Sequence, residues 1–322
     1  MGFNMMILAP AGETVSDSHE WTSRLRELIP DMQVSVARSI GEAMELVSEA
    51  DAAHGDIVPQ IFERAERLKW ISCPYAGPKA GYYHQALIDS DVVVTNTRGI
   101  YPFISAHIMA FVLSFARGFP VYFQNQREGK WEYAESSIYL ATSTAVIVGV
   151  GGIGAEAARL CAEFGINVLA VDPRVDDPPP GVAELHRPEA LHSVLPRADF
   201  VIVTVPETPQ TRGFFGAEEL RLMKDSAYLI NIGRGANVRL DDLNAALRGG
   251  EIAGAGLDVF EIEPLPSDHP LWTAPGMLIT PHVAAAPGPD LDDRRTELFF
   301  DNCVRFNEGR PLRNLVDKAA WF

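Results

Sequence analysis

Short apolar runs recur through the first hundred residues, at 5–8, 33–37, 70–73 and 92–95, each bounded by polar or turn-forming residues. Runs of that length, rich in Val, Ile and Met, predict strands. The segments 21–28 and 41–49 space their apolar residues three and four apart, as one face of a helix does. Strands that alternate with helices predict a parallel sheet covered on both faces. A long apolar stretch over 104–117 predicts a helix, and a polar and aromatic arm follows over 123–139. Further strands are expected at 145–148, 167–171, 200–205, 228–232, 253–258 and 277–279, with helices over 240–247 and 292–307. Residues 101–287 therefore hold the elements of a complete doubly wound α/β domain. Residues 1–100 and 288–322 are expected to form one discontinuous second domain, with the last helix carrying the chain back.

The pattern changes period most abruptly at 144–165, TAVIVGVGGIGAEAARLCAEFG. A β-branched run meets Gly149-Val-Gly151-Gly152-Ile153-Gly154, and a helical spacing follows that puts Ile153, Ala157, Leu160, Cys161 and Phe164 on one face. The next strand ends at Asp172, 18 residues after Gly154. Strand, glycine turn, helix, strand and acid together form the dinucleotide fingerprint in its required context. The helix N-terminus offers N–H groups and a partial positive charge to the phosphates.

Composition narrows the partners. With 322 residues, 47% hydrophobic and 22% charged, the chain reads as a soluble protein of two ordinary domains. A net charge of −16 makes nucleic acid or an anionic membrane an unsuitable partner and points to a small molecule. Cys73, Cys161 and Cys303 follow no metal or redox spacing, so no metal site is expected. The N-terminal MGFNMMILAP has no basic region or cleavage pattern and reads as a strand. The apolar stretch 101–116, interrupted by His107, is too short to span a bilayer, and a cytoplasmic location is expected.

Three other strand ends carry charged or titratable groups: Asn231-Ile232-Gly233-Arg234-Gly235, Asp258-Val-Phe-Glu261-Ile-Glu263, and Thr280-Pro281-His282. Ligands of open α/β sheets sit at the carboxyl ends of strands, so these residues describe a site. Imidazolium is the side chain able to deliver a proton near neutral pH, and a neighbouring carboxylate stabilises its charged form. The planar fork of Arg234 matches a carboxylate. Glu261 and Glu263 are the rival partners for His282. His107, on the apolar helix, reads as a satisfied core histidine; Arg98, after a strand end, could reach the cleft or be a solvated or hinge residue. Asp172 favours NAD over NADP, because it would repel a 2′-phosphate; Arg174, two residues on, could instead pair with one.

These residues resemble the D-isomer-specific 2-hydroxyacid dehydrogenases, over about residues 56–315. The matching segments are GVGGIG at 149–154, VPETPQTRG at 205–213, NIGRG at 231–235, LDVFEIEPLP at 257–266 and TPHVAA at 280–285. Residues 268–272 and 280–287 resemble the glyoxylate/hydroxypyruvate reductase branch. The resemblance implies a Rossmann-type NAD-binding domain with a flavodoxin-like substrate domain, working as a homodimer through 104–117 and 123–139. It implies hydride transfer between a nicotinamide cofactor and a small 2-keto or D-2-hydroxy acid. Arg234, Glu263, preferred because it stands just before the Pro-Leu pair, and His282 would be catalytic. Cofactor contacts would come from Gly149, Gly151, Gly152, Ile153, Gly154, Asp172, Val205, Pro206, Ile232, Gly233, Arg234, Asp258 and His282. Tyr75, Ala76 and Gly77 would bind substrate with Arg234 and His282; by their place near strand ends, Tyr75, Tyr101 and Phe103 read as pocket walls or as packing, and Tyr75 and Tyr101 would also suit a larger, apolar keto acid. The chain departs from the family at the 75–81 loop, at Ala141 before the fingerprint strand and at Ala106 before the helix histidine. No regulatory domain such as some phosphoglycerate dehydrogenases carry is expected after the last helix. A nicotinamide-sensing binding protein on the same fold is the rival reading, and a formate- or phosphonate-dehydrogenase-like enzyme is a second.

Overall fold

The computed structural model describes residues 2–9, 15–77, 81–99, 101–133, 137–285 and 289–321. The chain forms two compact units, residues 1–100 with 287–322, and residues 101–286.

The first unit is built on five parallel strands: β1 (Asn4–Leu8), β2 (Gln33–Ala37), β3 (Ala52–His54), β4 (Trp70–Ser72) and β5 (Val93–Thr95). Their order, β2-β1-β3-β4-β5, is the flavodoxin-like one. Register explains how so few residues bury both faces. Met6, Ala53, Ile71 and Val94 form one row across the sheet, facing Ile57, Ile61 and Leu87. Their neighbours Met5, Ala52 and Trp70 point the other way, against Leu25, Phe299 and Phe300. Phe299 and Phe300 come from the helix Pro289–Asn307, which therefore closes this unit's core from the far end of the sequence. Strand β3 was not expected: Ala52-Ala53-His54 is too short and small to stand out as an apolar run.

The second unit holds seven parallel strands: β6 (Thr144–Val148), β7 (Asn167–Val171), β8 (Glu184–His186), β9 (Phe200–Val203), β10 (Tyr228–Asn231), β11 (Gly254–Leu257) and β12 (Met277–Ile279). The order is β12-β11-β10-β9-β6-β7-β8, a doubly wound Rossmann sheet that reverses direction beside β6. Strands β9 and β11 are buried at every position, and β9 reads as an unbroken apolar run for that reason. Edge strand β8, half-buried throughout, lacks that signal and escaped the sequence pattern. The helix Gly152–Glu163 corrects a second expectation. Its buried residues are Gly154, Ala157, Ala158 and Cys161, while Leu160 is half-buried and Phe164 is exposed beyond the helix end. Small residues line the inner face because this helix packs tightly between its strand and the helix Tyr101–Ala116; Cys161 Sγ lies 3.7 Å from Met109 Sδ.

No single described helix is long and apolar enough to cross a membrane; residues 102–116 and 119–128 reach that length only as a pair, bent by 69°.

Candidate active site

The carboxyl edge of the second sheet presents, strand by strand, His282 after β12, Asp258 and Glu263 after β11, Arg234 after β10, Val205 and Pro206 after β9, the glycine loop after β6 and Asp172 after β7. Neighbouring strands lie about 4.8 Å apart, so hydrogen-bonding order alone brings these segments onto one edge.

The glycine loop divides its labour by position. Gly149 turns at φ 90°, a conformation side chains rarely adopt. A Cβ on Gly154 would fall 1.9 Å from the Gly149 carbonyl oxygen, so only glycine lets helix and strand approach this closely. A Cβ on Gly151 would meet nothing within 4 Å. Open space therefore lies above the helix N-terminus, where the fingerprint seats a pyrophosphate. Gly152 begins the helix, and the Ile153 carbonyl accepts from Ser105 Oγ at 3.1 Å. These residues fit a dinucleotide.

Asp172 is 2% exposed and already engaged. Its Oδ2 accepts from the Val150 N–H at 2.9 Å, and Oδ1 from the N–H groups of Arg174 and Val175 at 2.8 and 3.2 Å. The carboxylate thus ties the glycine turn to the loop after β7. The expectation for this residue was a role toward ribose; the contacts the structure shows are these backbone ones.

Two fully buried amides shape the Arg234 loop. Asn231 Oδ1 accepts from the Gly233 N–H at 3.1 Å, and Asn231 Nδ2 donates to the Arg234 carbonyl at 3.0 Å. Asn237 Oδ1 accepts from the Arg234 N–H at 2.8 Å, while its Nδ2 donates to the carbonyls of Pro206 and Thr211 at 3.3 and 3.1 Å. Ile232 continues the ladder through its N–H to Val203 at 3.1 Å. The arginine is half-buried on a backbone pinned from both sides.

His282 Nδ1 lies 2.8 Å from Glu263 Oε2, and Glu263 Oε1 accepts from the Phe260 N–H at 3.0 Å. Glu261 faces elsewhere: its Oε2 accepts from the Leu240 N–H at 2.9 Å and caps the helix Leu240–Gly249. His282 has φ 53°, the left-handed region, which is costly for a residue with a Cβ. Asp258, buried beneath, holds the turn open by accepting from the N–H groups of Val283 and Ala284 at 2.8 and 2.9 Å. The same carboxylate accepts from Thr280 Oγ1 at 2.6 Å. That hydroxyl has one proton, so its oxygen accepts from His107 Nε2, 3.0 Å away. His107 also stands 3.8 Å from Asp258. It is a member of a polar chain under the histidine loop, not the core histidine expected. The sequence signal for it was an imidazole on an apolar helix that carries no acidic or basic residue.

In the first unit, the loop of Tyr75, Ala76 and Gly77 is tied to the end of β5. The Ala76 carbonyl accepts from Asn96 Nδ2 at 3.0 Å, and the Tyr75 carbonyl from the Thr97 N–H at 3.3 Å. The Tyr75 ring is exposed; partial burial, then the charge of Asp56, raise its phenol pKa. Residues 78–80 and the side chain of Tyr101 lie outside the described residues.

Residues 109–284 match the family described as D-isomer specific 2-hydroxyacid dehydrogenase, NAD binding domain. The chain belongs to the D-isomer-specific 2-hydroxyacid dehydrogenase family. It is 35% identical over 268 residues to the glyoxylate reductase of Korarchaeum cryptofilum, covering 81% of this chain and 80% of that protein. A D-isomer-specific 2-hydroxyacid dehydrogenase from Xanthobacter autotrophicus Py2, solved with NADPH and MES, has a TM-score of 0.86 at 31% identity, covering 99% of this chain and 100% of that one. The NADPH-dependent glyoxylate/hydroxypyruvate reductase of Sinorhizobium meliloti, solved with NADP and sulfate, has a TM-score of 0.82 at 27% identity, covering 99% and 100%. This 2-hydroxyacid dehydrogenase is thus a hydride-transferring oxidoreductase with an NAD-binding Rossmann domain.

Proposed function

We propose that this dehydrogenase interconverts glyoxylate or hydroxypyruvate with its hydroxy acid, using NAD(H), through Arg234, Glu263 and His282. The observation that carries the reading is the 2.8 Å pairing of His282 Nδ1 with Glu263, one strand from Arg234. The likeness to enzymes named glyoxylate reductase and glyoxylate/hydroxypyruvate reductase supports the substrate.

Arg234 takes the substrate carboxylate and polarises its carbonyl through charge-assisted hydrogen bonds. Glu263 occupies Nδ1 of His282, so the ring is oriented and Nε2 is the nitrogen available to the substrate oxygen. The nicotinamide, when bound, supplies the hydride to the keto carbon. His282 delivers its proton to the oxygen in reduction and takes it back in oxidation. The N–H groups of Ala76 and Gly77 hold the carboxylate, Tyr75 walls the side chain, and Asp258 stands beside the nicotinamide. The glycine loop and Val205, Pro206, Ile232 and Gly233 hold the rest of the cofactor.

Asp172 supports NAD(H) over NADP(H), since its buried charge opposes a 2′-phosphate; the NADP(H) found in the Xanthobacter and Sinorhizobium structures, and Arg174 nearby, make the cofactor a point to test. Cys73, Cys161 and Cys303 are buried and form no disulfide, which suits a reducing cytoplasm. The exposed aromatic arm suits a homodimer.

The test is oxidation of NADH and of NADPH with keto acids from glyoxylate and hydroxypyruvate to phenylpyruvate. Wild type is expected to turn over the two small acids, with kcat/KM higher for NADH. His282→Ala should lower kcat roughly 10²–10⁴-fold, and Asp172→Ser should erode the preference for NADH. A preference for phenylpyruvate or for NADPH overturns the corresponding part of the proposal. Cofactor binding without turnover of any keto acid would move the nicotinamide-sensing reading ahead.

A further inference from the structure

The first unit contains a cavity of about 360 Å³ whose wall includes Arg98, Arg294, Arg295 and Arg313, with Glu297 and Asp301. Four guanidinium groups and two carboxylates line this wall, in a chain whose net charge is −16. None of Arg234, Glu263 and His282 lines it, and none of the family motifs includes its arginines.

The arginines are held by the protein. Arg98 Nη2 donates to the Leu315 carbonyl at 2.6 Å and its Nε to Asn96 Oδ1 at 3.1 Å. Arg313 Nη1 donates to Asp301 Oδ2 at 3.2 Å, and the same oxygen takes Arg305 Nε at 2.9 Å. Arg295 Nη1 stands 3.6 Å from Asp292 Oδ1, whereas its Nε is buried and finds no hydrogen-bond partner among the described residues. A guanidinium carries five N–H donors, so one or two anchoring bonds fix the fork and leave donors over for a ligand. A buried donor of a cation without a partner is the kind of group an anion satisfies.

We propose that this cavity binds a small dianion, a dicarboxylate or a phosphate compound, in addition to the keto-acid carboxylate taken at Arg234. The size is at the lower end of ligand pockets, roughly 300–1,000 Å³, and excludes a second dinucleotide. The planar forks match carboxylate and phosphate oxygens, which a spherical ion such as chloride cannot reproduce.

The experiment is isothermal titration of malonate, and separately of inorganic phosphate, into the full chain at constant ionic strength set with sodium chloride. The starting protein carries Arg234→Ala, which removes the substrate's carboxylate site from the measurement. One saturable site is expected, and the tighter of the two anions tells a carboxylate ligand from a phosphate one. Adding Arg294→Gln with Arg295→Gln should weaken it at least about tenfold, while the matched pair Arg159→Gln with Arg310→Gln should change it less than about twofold. Glu297→Gln should tighten it roughly threefold, and this variant carries the test if the double arginine change does not fold. No saturable binding of either anion, or an affinity indifferent to Glu297 and to the arginine pair, overturns the proposal. None of these readings depends on turnover, so failure of the dehydrogenase reading leaves them intact.

Discussion

Glu261 and Glu263 stand two residues apart and end on different structures, one on the N–H of Leu240 and the other on His282. Side-chain chemistry is identical; the backbone leaving β11 decides which carboxylate meets the imidazole. The two should separate cleanly by mutation. Glu263→Gln removes the carboxylate that orients the imidazole and is expected to lower kcat roughly 10- to 100-fold with the fold intact. Glu261→Ala removes a helix cap and is expected to cost about 1 kcal/mol of stability with kcat within about twofold. Steady-state kinetics and urea unfolding of both variants check this; a kcat loss in Glu261→Ala equal to that in Glu263→Gln would contradict it. At the same scale, the φ of 53° at His282 is held by Asp258 accepting the next two N–H groups, so the histidine proposed as the proton donor is positioned by a buried residue.

At the scale of elements, strand ends in both sheets present polar groups, but not all of them face a ligand. His54 closes β3 and is packed between Phe299 and Trp21, with ring centroids at 4.3 and 5.6 Å and Nδ1 3.1 Å from Ser72 Oγ. Burial drives its pKa from 6.5 down to about 4. The unfolded chain therefore takes up this proton before the folded one does. Stability is complete above pH 6.5 and is lost as pH falls from 6.5 toward 4. By pH 4.5 this residue should account for a loss of about 2–3 kcal/mol. Urea unfolding of wild type and His54→Gln at pH 7.5, 5.5 and 4.5 isolates the effect from the carboxylates, which titrate in both. The gap between the two proteins should narrow or reverse on acidification, and a gap constant with pH would exclude His54 as the cause.

For the whole molecule, the aromatic arm of the second unit is the feature that monomer packing leaves over. Trp131, Tyr133 and Tyr139 are 94%, 85% and 73% exposed. The preceding helix Phe119–Glu128 has no buried residue, and its Phe119 and Phe123 rings stack on each other at 5.5 Å. Exposed aromatic surface on that scale is what the proposed homodimer would cover. Sedimentation is expected to give twice the chain mass for wild type and the chain mass for Trp131→Asp combined with Tyr133→Asp; a wild type that sediments as a single chain would rule the dimer out.

Much of this enzyme is legible in its residues, for physical reasons tied to locality. Parallel strands buried on both faces must be apolar throughout, so β6, β7, β9 and β10 stand out as runs. A glycine turn between a strand and a helix is dictated by the φ of Gly149 and the contact at Gly154, both within a few residues. Strand-end motifs name Arg234, Glu263 and His282 because the chain leaves each strand at a fixed edge. What tertiary structure decided lies where contacts are distant or small. Strand β3 is two alanines and a histidine, and β8 sits at an edge that needs no apolar run. The inner face of the fingerprint helix is set by how close the helix Tyr101–Ala116 lies, which reverses the expected burial of Phe164. The chain from His107 through Thr280 to Asp258 joins residues 173 and 22 positions apart. No local period encodes such a contact; only the order and register of β10, β11 and β12 beside that helix bring the three together.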